Sequence, residues 1–173
     1  MRSIKKCPVP ANTMLDAYSK PGAYVDCYRM ELPVHVPFAE FVFAFYTTLL
    51  FKLERHILTL TLSKPSTDQQ ARQLADGDIH SFAAWHVENR CDNELLMCDF
   101  VGRTRSWLTA VHAKTESGMR TQLYFGSAVV PKQDPKTGRW SLGFGYQSLL
   151  GFHKIYSVLL LYSAVLRIKG RFQ

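Results

Sequence analysis

The sequence predicts an α+β domain in which an antiparallel twisted sheet is wrapped around a long C-terminal helix, with two helices inserted after the first strand. One observation is the centre of the chain, where four strand-length pieces rich in Val, Phe, Trp, Tyr and Thr follow one another between short, turn-prone links. Such links join antiparallel neighbours, since a parallel crossover takes about a dozen residues or more. A second is an apolar face at helical spacing from about residue 144 to 169. The third is size. A chain of 173 residues has the length of one domain, so sheet and helix must share a core.

In chain order, residues 1–21 hold three prolines and little periodicity, and read as an irregular N-terminal arm to a single domain over 22–173. Gly22 to Leu32 alternates, with Tyr24, Asp26, Tyr28 and Met30 opposite Val25, Cys27, Arg29 and Glu31, which predicts a strand. Pro33 and Pro37 break it. From Pro37 a helix is expected, its core face carrying Phe38, Phe41, Val42, Phe45, Leu49, Leu53, Ile57 and Leu60. Ser66 and Gln69 have capping-box spacing before a short helix that ends near Ala75. His80–Arg90, Glu94–Arg103, Arg105–Ala113 and Met119–Val130 are the four central strands, and PKQDPKTGRW is a polar loop. The last helix is to present residues 146, 149, 150, 153, 156, 157, 160, 161, 164 and 168 to the sheet. An apolar sheet face needs a cover, and this helix is the longest available.

Composition narrows the function classes. A hydrophobic fraction of 47% with 13% aromatic residues argues for a packed interior and against disorder. The formal charge of +7 is spread along the chain rather than gathered in a stripe, so no nucleic-acid partner is expected. Two apolar stretches, 41–51 and 155–166, fall short of the roughly 20 residues a membrane-spanning helix needs. Cys7, Cys27, Cys91 and Cys98 make no CxxC pair, and the six histidines form no short metal motif, so neither metal nor other cofactor is expected. The basic start lacks the apolar core of a signal peptide, which points to a cytoplasmic protein with reduced thiols. Phosphate-loop, dinucleotide, zinc-protease and serine-hydrolase motifs are missing from the sequence. Gly143 and Gly145 mark a loop-to-helix junction, a place where helix N-termini take phosphate.

The order of elements, with the terminal helix gripped by an antiparallel sheet, resembles the START-like or polyketide-cyclase-like helix-grip superfamily. The stretches SFAAWHVENR, LLMCDFVGRTRSWL, TQLYFGSAVVP and LLGFHKIYSVLL look like an uncharacterised bacterial family over roughly residues 22–168. The resemblance implies a hydrophobic cavity under the long helix that takes lipids, sterols, polyketides or plant hormones. It also implies cyclases and dehydratases as the enzymatic branch, and it carries no catalytic signature over to this chain.

Candidate ligand-binding residues follow from the expected faces. Alternation puts Trp85 on the core face with Ala83 and Val87, and His86 with Glu88 on the other. Asp99 with Arg103 or Arg105 either fixes the polar end of a bound molecule beside Trp107, or forms a cross-strand ion pair. Phe125 is the inward residue of its strand, as packing or as cavity wall. His153 lies on the apolar face of the last helix with Tyr156 one turn on; it either exchanges a proton with a ligand or is a core histidine with a backbone partner. The expected partner is therefore an apolar or amphipathic small molecule. A cyclase, dehydratase or isomerase acting in the same cavity is the alternative, as is a homodimer formed through a sheet edge or apolar patch.

Overall fold

The computed structural model describes residues 3–20, 22–116, 118–133, 138, 140–142 and 144–172, with side chains in the last segment taken from 153–171. The chain opens with β1 (Lys5–Lys6) and a 3₁₀ turn (Asp16–Tyr18), followed by β2 (Tyr24–Leu32). Three helices come next: α1 (Phe38–Tyr46), α2 (Leu49–Leu62) and α3 (Asp68–Asp76). The strands β3 (Ser81–Phe82), β4 (Trp85–Cys91), β5 (Glu94–Asp99), β6 (Thr104–Thr115) and β7 (Gly118–Val129) then run consecutively. A short hairpin of β8 (Lys132–Gln133) and β9 (Trp140–Ser141) leads into α4 (Phe144–Phe172).

Seven strands pair antiparallel in the order β1-β2-β7-β6-β5-β4-β3, and α4 packs against β2 and β7 on one face. This is the expected α+β arrangement of sheet and terminal helix. Leu160, Leu161, Ala164, Val165 and Ile168 of α4 are buried in the same core as Tyr28, Leu108 and Phe125 of the sheet. The helix positions 146, 149 and 150, the junction at Gly143 and loop residues 134–137 and 139 lie outside the residues whose placement or side chains are described. Cover of the sheet is shared: α1 is buried on nearly every side and contacts α3, α4 and β6. A short helix apolar all round belongs between layers.

The single helix expected from Pro37 onward is two helices. The Thr47 hydroxyl donates to the Phe43 carbonyl at 2.6 Å, while Thr48, with extended backbone, accepts from the Phe51 amide at 3.1 Å and caps a new helix. The break resets the helical phase. Phe51 and Arg55 turn inward, and Leu49, Leu53, Ile57 and Leu60, expected in the core, are 85%, 58%, 51% and 73% exposed. The capping box of α3 falls one residue later than expected, on Thr67 and Gln70. Ser66 is occupied otherwise: its hydroxyl accepts from Arg55 Nε at 2.9 Å, beside an Arg55–Asp68 ion pair at 2.7 Å that ties α2 to the start of α3.

The arm is more ordered than its sequence suggests. Lys5 and Lys6 pair with Arg29 and Tyr28, and Leu15 is fully buried against the sheet face turned away from the helices. There it joins Cys27, Leu96, Trp107, Tyr124 and Ala128 in a second apolar cluster. Glu94 holds the arm, accepting from the Met14 amide at 3.0 Å and from Trp107 Nε1 at 2.8 Å. No helix among the described residues is long and apolar enough to cross a membrane.

Candidate functional site

Strand register sets a polar row across the helix-covered face. Asp26 of β2 pairs with Ser127 of β7, which pairs with Ser106 of β6. Neighbouring residues in one row share a face, and all three side chains are buried. A buried carboxylate needs partners. Tyr24 donates its hydroxyl to Asp26 Oδ2 at 2.8 Å, and the Ser127 hydroxyl donates to Asp26 Oδ1 at 2.6 Å. Since the serine proton is spent on the carboxylate, Ser127 Oγ receives its 2.6 Å contact with His153 Nε2 as an N–H donation. Neutral His153 therefore carries its proton on Nε2 and has Nδ1 unprotonated. Burial pushes the His153 imidazole below its ordinary pKa, and the Asp26 charge works against that shift.

Beside this row is a cavity of about 200 Å³ between sheet, α2 and α4. Its apolar wall comes from Phe45, Phe51, Trp85, Phe125 and Leu160, with the Phe45 and Phe125 rings 4.8 Å apart. Its polar groups include Glu54, Asp99, Ser106, Ser127, His153 and Tyr156. Glu54 is partly buried on α2. It accepts a hydrogen bond from the Tyr156 hydroxyl, and the Trp85 side chain also favours its charged form. Burial nonetheless holds its carboxyl above the ordinary value, outweighing both neighbours. The Tyr156 phenol is pushed well above its usual value, by burial first and by the Glu54 charge second.

The residues singled out in the sequence separate into two groups. Trp85, Asp99, Phe125, His153 and Tyr156 border this one cavity. Trp85 and Asp99 are direct partners across β4 and β5, which sets them side by side. Trp107 and Arg103 do not border it. Trp107 points to the opposite face, in the cluster around Leu15, because its neighbour Ser106 takes the inward position. The Arg103 guanidinium donates to the carbonyls of Val130 and Leu142, each at 2.9 Å, fastening the chain after β7. Asp99 also accepts from the Arg103 amide at 2.7 Å within the turn between β5 and β6. His86 is exposed, and Glu88 pairs with Arg105 at 2.6 Å, so these two face away from the cavity.

Glu54, Asp26 and Ser127 were not legible as site residues. In KLERH, Glu54 reads as one charge in a solvated run, and only the helix break at Thr47–Thr48 turns it inward. Asp26 carries a signal in hindsight, since it falls on the same strand face as Tyr24, Tyr28 and Met30. Among the described residues no group of three or more His, Cys, Asp or Glu could hold a metal ion. Compared with known proteins, the chain matches no family model and no curated protein.

Proposed function

We propose that the protein binds a small apolar or amphipathic molecule in the cavity between the sheet and α4. The observation that carries this reading is one half-open space with aromatic walls and a few polar groups brought together from the sheet, α1, α2 and α4. Sites that orient small ligands have this composition. The volume, about 200 Å³, sets the scale. A dry apolar cavity of about 150 Å³ admits benzene, whereas drug-sized sites run to roughly 300–1,000 Å³. A single ring with a short polar substituent is the size that fits.

The test is native mass spectrometry of freshly purified protein together with thermal-shift screening of monocyclic compounds. Binding should stabilise the fold in proportion to ligand concentration. Phe125→Trp, which fills the space, should abolish the shift while retaining the native circular dichroism. Failure of every monocyclic compound to raise the melting temperature would reject the reading.

A second reading, an enzyme of cyclase, dehydratase or isomerase type, is favoured by one observation. Glu54 and His153 border the same space with pKa values displaced towards each other, the carboxyl up and the imidazole down. A bound carbon acid would then exchange protons with solvent. Deuterium uptake from D2O into a bound ligand, lost in both Glu54→Gln and His153→Gln, would separate catalysis from binding. Pairing of two copies would use the exposed leucines of α2, and light scattering at high protein concentration measures it directly.

A further inference from the structure

The cavity is acidic as well as aromatic. Glu54 and Asp99 both border it, and the basic residue at its edge, Arg105, directs its guanidinium to Glu88, Tyr18 and the Gly102 carbonyl. A carboxylate or phosphate ligand would meet two like charges there, beside a guanidinium whose charge is already paired with Glu88. A neutral ligand would leave the Glu54 charge as poorly solvated as before. An ammonium would give that carboxylate an opposite charge where solvent is scarce, and ion pairs gain most under such conditions. Phe45, Phe51, Trp85, Phe125 and Tyr156 add aromatic rings to the lining, and aromatic quadrupoles attract cations.

We infer that the ligand is a protonated amine about one ring in size, with its ammonium on Glu54 and its apolar body among Phe45, Phe51 and Phe125. Glu54 has acceptor capacity for this role. A carboxylate offers about four lone-pair sites, and the bond from Tyr156 takes one. His153, neutral with Nε2–H on Ser127, adds no positive charge in opposition. The inference rests on the small-molecule reading above and narrows it to a chemical class.

The experiment compares benzylamine, benzyl alcohol and benzoate, nearly equal in size, by isothermal titration calorimetry at neutral pH. Benzylamine should bind about tenfold or more tightly than benzyl alcohol, the scale of a desolvated cation against a neutral group, with benzoate weakest. In Glu54→Gln, benzylamine should fall to the affinity of benzyl alcohol while the alcohol itself keeps its wild-type affinity, which also reports that the variant is folded. If Glu54→Gln does not fold, the wild-type ratio decides. Benzyl alcohol or benzoate binding as tightly as benzylamine overturns the amine inference and leaves the cavity reading intact. Failure of all three, and of toluene, overturns both.

Discussion

The Tyr156 hydroxyl of α4 donates to the Glu54 carboxyl of α2, joining two helices across 102 positions of sequence at the edge of the cavity. Removing the donor with Tyr156→Phe leaves a partly buried carboxyl with less compensation. We expect a loss of about 1–2 kcal/mol, the cost of breaking one bond to a buried acceptor. Chemical denaturation measures it; an unchanged midpoint would show that the bond has no weight.

Glu54 also gives the protein a pH signature. Its carboxyl titrates higher in the folded state than in the unfolded chain, so the folded state holds the proton more tightly. Stability from this group is full below the ordinary carboxyl pKa and is lost as pH rises through the raised folded value. Glu40 and Asp68 are shifted downward by their ion pairs and act in the opposite sense, so only a difference isolates Glu54. The melting temperature of the wild type minus that of Glu54→Gln should grow more positive as pH falls from 7 towards 5. A flat difference would contradict the assigned shift.

His153 has the reverse sign. Its folded pKa lies below the ordinary value, so its contribution is present above that value and lost as pH falls through the depressed one. The Asp26 charge resists the depression. Asp26→Asn should therefore move the NMR titration midpoint of His153 still lower. A midpoint that rises, or stays fixed, would show that the Asp26 charge does not act on the imidazole.

Strand residues were the most legible part of the site. Period-two alternation placed Trp85 and Phe125 on the inward face, and the position of His153 followed from helical spacing on α4. Short links likewise predicted the antiparallel run from β4 to β7. Legibility stopped where a side chain's direction depends on a distant event. Trp107 looks like a core residue in either register, and it is one, but of the arm-covered cluster, because small Ser106 takes the cavity side. For α2, two adjacent threonines compete for backbone bonds and restart the helix. A continuous 3.6-residue reading through Thr47 and Thr48 therefore assigns the wrong face to everything after them.

That phase change has a measurable consequence in α2. Leu53 and Leu60 stand in solvent, so Leu53→Gln and Leu60→Gln should each alter stability by no more than about 0.5 kcal/mol. Phe51, buried against Phe45, Tyr46 and Phe82, should cost about 3–5 kcal/mol on truncation to alanine. Equal losses at Leu53 and Phe51 would mean that the helix runs through the threonines unbroken.

Gly126 tests the arm. It lies on β7 opposite Cys27 and Trp107, where a Cβ would come within 2.3 Å of Leu15 Cδ2, 3.0 Å of the Asp26 carbonyl and 3.1 Å of Trp107 Cε3. The Leu15 side chain can swing aside only by leaving its fully buried position, whereas the strand carbonyl and the indole are held by the sheet. Gly126→Ala should therefore displace the arm at a cost of about 1–3 kcal/mol, as overpacking does. Limited proteolysis should then cut among residues 8–20 faster than in the wild type. Because Gly126 precedes Ser127, the same variant reports whether the arm braces the polar row, through any change in the His153 titration. Unaltered arm protection together with unaltered stability would show that Leu15 does not depend on the missing side chain.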